Sequence, residues 1–189
     1  DIFELDNLII PQVLDTQARP KIEEYDNAIF LTIKMLSEDE SVASIKVENL
    51  SFIWTKSVLL SFQEVKGDVF EPVRERIRKG KKRIRSSGPD YLAFALLDIV
   101  IDNYIYLVGM LGEKIEILEE ELYANPNKSI IDKIYQNKRK LNFLRKNIIP
   151  AREMIMLLAK MESEFISPKH AVHFKELQHN INHVSETCD

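Results

Sequence analysis

Two aspartates one helical turn apart, Asp98 and Asp102, sit inside the apolar run DYLAFALLDIVIDNYIYLVGMLG (Asp90–Gly112). The i,i+4 spacing puts both carboxylates on one face of a helix. A carboxylate on so apolar a helix is costly unless a charge meets it. Two kinds of partner answer that need: a cation from a neighbouring helix, such as Arg145 or Arg152, or a divalent ion held directly or through water. Magnesium suits the second, because it keeps several waters and uses only one or two carboxylates. A second set is His170, His173, His179 and His183, all in the last twenty residues. His179 and His183 are again i,i+4, a spacing that can ligate zinc. No Glu completes an HExxH pattern, and zinc needs a third or fourth ligand, so polar helix surface or an oligomer contact is the alternative. The acidic EKIEILEEEL (Glu113–Leu122) reads as a solvated helix face that could also concentrate cations weakly through its field.

Other chemistries are poorly supplied. There is no Gly-rich phosphate loop, no GxSxG and no CxxC, and five glycines leave little room for a nucleotide cradle, which argues against an enzyme. Eight Lys/Arg between Arg74 and Arg85 stand against one Glu. Without interleaved aromatics this run reads as a charged helix face, not a nucleic-acid patch. The net charge of -4 favours neither an acidic nor a basic partner. A single cysteine, Cys188, excludes an intramolecular disulfide and fits a reducing compartment. No secretory signal pattern is present, and a first residue Asp1 with a helix-like ending suggests a piece of a longer protein.

The elements that must position these residues come in two groups. Asp1–Leu14 has the apolar spacing of a short helix broken near Pro11. Asp26–Leu36, Ser44–Thr55 and Ser57–Gln63 are rich in Ile, Val, Phe and Trp and read as strands, the last two a hairpin joined at Lys56. From Asp68 the period becomes helical, with Val69, Val73 and Ile77 on one stripe, interrupted at Gly80 and closed by Ser86–Pro89. A helix of about 35 residues, capped by Ser87 or Asp90, then runs to Asn125. Its segment Tyr91–Gly112 approaches the length of a membrane span, but Asp98 and Asp102 at its middle favour a buried helix of a soluble domain. A second long helix, Ser129 to about Met161, carries a kink at Pro150. The two pair as an antiparallel hairpin with an acidic tip, and Ser167-Pro168 opens a last helix. Strands first and helices after predict an α+β domain.

Several stretches, in order, resemble the CorA family of divalent-cation transporters: QARPKIEEYDN (Gln17–Asn27), LTIKML (Leu31–Leu36), SFQEVKGDVFEPVRERIR (Ser61–Arg78), DYLAFALLD (Asp90–Asp98), EILEEEL (Glu116–Leu122) and KRKLNFLRKNIIPAREM (Lys138–Met154). The resemblance implies an α/β/α sandwich followed by a long helical hairpin and a stalk helix. It divides the chain into a sheet-containing part (1–88, its N-terminal portion truncated), the hairpin (89–166) and the start of the stalk (167–189). It further implies a homopentamer in the inner membrane with this part on the cytoplasmic side, and transport of Mg2+ or Co2+ through C-terminal helices and a Gly-Met-Asn motif that this sequence lacks. Zinc transport within the same superfamily, and a helical scaffold without transport, are the alternatives. In similar proteins, magnesium between neighbouring domains holds the channel closed. The residues implied here are Asp98 on the long helix and Glu176 at the stalk. The family's upstream acidic pair falls on Pro11 and Gln12, of which only Gln12 keeps an oxygen ligand, a neutral carbonyl.

Overall fold

The computed structural model describes residues 5–39, 44–80 and 82–188. The beginning of the expected Asp1–Leu14 helix, Lys81 of the basic run and the terminal Asp189 lie outside the described residues. The strand-forming residues make a four-stranded antiparallel meander in the order β1-β2-β3-β4: β1 Lys21–Tyr25, β2 Ala28–Asp39, β3 Ser44–Trp54 and β4 Leu59–Gln63. The register pairs Ile29 with Trp54, Leu31 with Phe52 and Ile33 with Leu50, so one face presents a continuous apolar surface. Each such side chain is worth about 1.5–3 kcal/mol when fully buried, and all six are. The other face is smaller, with Ala28, Phe30 and Ile53 packed against Ile9 of α1 (Ile9–Leu14). Helices therefore cover both faces.

The larger face is covered by the long helices. Two short basic helices, α2 (Glu71–Arg78) and α3 (Lys82–Ser86), lead into α4 (Pro89–Ala124), α5 (Lys128–Leu158) and α6 (Ala171–Thr187). Helix α4 starts at Gly88 with Pro89 in its first turn, and no side chain caps it. The expected cap, Asp90, does something else: its Oδ1 accepts from Tyr91 N at 2.9 Å and its Oδ2 from Ser167 N at 2.8 Å. Helix α5 is capped by Asn127, which accepts from Ser129 N at 2.8 Å, and continues through Pro150.

By length and composition, α4 is apolar enough to cross a membrane, yet 56% of its most apolar stretch is buried inside the protein. Its buried residues recur every turn from Tyr91 to Leu111 and end at Ile115. It is a core helix for two-thirds of its length and an exposed arm beyond. Tyr104, fully buried, donates its hydroxyl to the Lys34 carbonyl, and Asn103 Nδ2 donates to the Leu36 carbonyl, fixing α4 to β2.

Helix α6 runs beside α4 in the same direction. Asp90 Oδ2 lies 2.8 Å from His170 Nδ1, Tyr91 and His173 meet edge to face with centroids 5.4 Å apart, and Phe94 meets Phe174 likewise at 6.4 Å. Both Asp90 and His170 are only 4% exposed, so their contact is an internal clasp between the starts of the two helices.

Candidate metal centre

Two turns beyond that clasp, Asp98 on α4 comes near Glu176 on α6. Asp98 is half-buried and makes no hydrogen bond or ion pair among the described residues, while Asp102 and Glu176 lie at the surface. Burial pushes the Asp98 carboxyl up to about 6, the negative charges of Asp102 and then Glu176 add to the rise, and Arg76 opposes it. Asp102 is also raised, by burial alone. The parallel course of α4 and α6 thus brings Glu176 near Asp98 and Asp102, a juxtaposition that spacing along the chain does not show and that only the family resemblance had implied.

The expected counter-ions were misplaced. Neither Arg145 nor Arg152 is among the charges that reach Asp98. Arg152 Nε instead donates to Asn182 Oδ1 at 2.9 Å, tying α5 to α6. The cation whose charge reaches Asp98 is Arg76 of α2, a member of the basic run expected to form a charged helix face. Its phase on α2, beside Val73 and Ile77, was the signal that could have singled it out.

Gln12 stands apart. It lies on α1, on the sheet face opposite α4 and α6, and the sheet separates it from Asp98 within one chain. Its Nε2 donates to Glu23 Oε2 at 2.8 Å and to the Tyr25 hydroxyl, which itself donates to Glu23 Oε2 at 2.7 Å. The Tyr25 phenol is pushed up to about 12, chiefly by burial and then by Glu23, whose carboxyl the Tyr25 hydroxyl holds below its usual range. Gln12 Oε1 is buried with no hydrogen-bond partner among the described residues, so one oxygen acceptor remains unused.

His179 and His183 are exposed on α6. Among the described residues, no three His, Cys, Asp or Glu are grouped so as to hold a metal ion. The remaining histidine of the cluster, His173, accepts from Arg83 Nη2 through Nε2 at 2.5 Å and stacks on Phe94 at 4.8 Å. A groove of about 560 Å3 lies elsewhere, at the hairpin tip between Tyr123 and Tyr135.

This layering is shared with two solved domains. The soluble domain of CorA from Methanocaldococcus jannaschii superimposes with a TM-score of 0.78 at 21% identity, over 96% of this chain and 72% of that one. The ZntB cytoplasmic domain from Vibrio parahaemolyticus gives 0.77 at 15% identity, over 98% and 72%. The family model for CorA-like Mg2+ transporter proteins matches residues 1–189, and the chain belongs to that family. The cobalt/magnesium transport protein CorA of Thermotoga maritima is 34% identical over 189 residues, all of this chain and 54% of that protein. The chain spans about half the length of the relatives it matches.

Proposed function

We propose that this chain is the cytoplasmic, ion-sensing part of a CorA-like Mg2+/Co2+ transporter of the cell membrane, working as a homopentamer and carrying no catalysis itself. Residues 1–88 and the hairpin, 89–166, form the body, and 167–189 begin the stalk. The observation that carries the reading is Asp98: a half-buried carboxylate without a bonded partner, facing the negative charge of Asp102 and Glu176. Asp98 and Glu176 would hold the ion, Asp102 would add field, and Gln12 of a neighbouring chain would supply a carbonyl oxygen, since the sheet keeps a chain's own Gln12 away. A divalent cation there offsets repulsion that otherwise loosens the contact between chains.

The residues fit a weakly bound ion better than a tight one. Glutamine in place of an acid removes a charge, and its amide nitrogen is already committed to Glu23 and Tyr25. Titration calorimetry with MgCl2 tests the assignment: Asp98→Asn and Glu176→Gln are each expected to weaken binding by about tenfold, the loss of one charged ligand. Unchanged affinity in both variants refutes it.

A further inference from the structure

The far end of the hairpin leaves apolar surface open. A groove of about 560 Å3 lies between the last turns of α4 and the first turns of α5, with Leu122, Tyr123, Ile131, Ile134 and Tyr135 along it. Tyr123 is 91% exposed and Tyr135 62%. Helix spacing sorts the charges beside the groove: Glu116, Glu119 and Tyr123 follow at i, i+3 and i+7 on α4, while Lys128, Ile131, Tyr135 and Lys138 follow at i, i+3, i+7 and i+10 on α5. One edge is therefore acidic and the other basic. Across the groove Lys138 meets Glu119 at 3.4 Å, whereas Glu116 and Lys128 make no ion pair among the described residues. A surface with acids along one edge, bases along the other and open tyrosines between them is complementary to its own copy. Turning a second copy about a two-fold axis that runs along the hairpin sets acidic edge on basic edge twice, with both tips pointing the same way.

We propose that this groove is a docking surface for a second copy of the chain, two hairpin tips meeting face to face with Tyr123 and Tyr135 of each seated in the groove of the other. The tyrosines supply apolar contact area at little cost in side-chain freedom, and the charged edges fix the pairing. Exposed ion pairs are weak and screened by salt, so the contact is a transient one. A five-fold ring contains no two-fold axis, so in the pentamer proposed above the contact joins two separate assemblies. Their common orientation in one membrane suits a docking in which both tips point the same way. The contact uses neither Asp98 nor a divalent ion, and it stands or falls apart from the ion-sensing reading.

Sedimentation equilibrium of the chain in EDTA, which removes any ion-bridged association, tests the surface. The parent is expected to dimerise reversibly, more weakly as NaCl is raised. Glu116→Lys with Glu119→Lys makes both edges basic, and Lys128→Glu with Lys138→Glu makes both acidic. Each of these double variants is expected to dimerise about tenfold more weakly than the parent, and an equimolar mixture of the two to recover the association as a heterodimer. Tyr123→Ser with Tyr135→Ser is expected to weaken it by a similar factor. Recovery in the mixture requires both variants to be folded, so loss through misfolding is not mistaken for support. A parent that stays monomeric, a mixture that does not recover, or a dimer indifferent to the charges or to the tyrosines overturns the proposal.

Discussion

Asp98 is held where its proton is bound too tightly for its surroundings to be indifferent to pH. Its folded-state value of about 6 lies above the ordinary 3.8, so the folded protein keeps a proton there that the unfolded chain releases. Stability at this residue is therefore greatest below pH 3.8 and declines as pH rises to about 6, above which the full penalty applies. Solvent at this half-exposed site keeps the effect modest. Asp98→Asn is expected to raise the thermal midpoint by about 2 °C at neutral pH and hardly at all near pH 4, by scanning calorimetry without metal. The shared face of Asp98 and Asp102 was legible from spacing alone. Glu176 entered only through the family resemblance, because no local pattern tells which acid of a later helix will lie beside an earlier one. Arg76 was missed because a count of charges ignores phase: its neighbours two residues away on either side point to solvent, and it does not.

The elements show where local patterns suffice and where they fail. Strand β3 announces itself, since a strand end buried on both faces from Glu48 to Trp54 reads as Leu50–Trp54, apolar but for Ser51. Strand β1 does not: in KIEEY only Ile22 and Tyr25 are apolar, because one edge of this strand is unpaired and its outward residues are charged. Its signal lay in the turn, Asp26-Asn27, the two residues between the paired Tyr25 and Ala28. Asp90 looked like a cap by position but reaches across to Ser167 and His170, a long-range use that sequence cannot reveal. The bond from Tyr104 to the Lys34 carbonyl is similar in kind. Tyr104→Phe leaves that buried carbonyl without this donor and is expected to cost about 1–2 kcal/mol in urea denaturation. A loss near zero would mean that α4 is held on β2 by packing alone.

The molecule as a whole is unevenly anchored. Past Ile115 no residue of α4 is buried, and on α5 Ile134 is the lone buried residue before Leu144. Amide hydrogen exchange is expected to be fastest within the hairpin across residues 116–138 and slowest between 91 and 111, since local opening costs least where little apolar surface is lost. Uniform protection along α4 would contradict this. The opposite extreme is the clasp of Asp90, Ser167 and His170. It holds α4 and α6 together at one end, while the acids that repel lie further along. From that pivot Asp98 is about 12 Å away and the end of α6 about 26 Å, at 1.5 Å per residue. Two arms hinged at one end would act like a pair of dividers: were α4 and α6 to part by about 1 Å at the carboxylates, the separation where α6 ends would be roughly 2 Å.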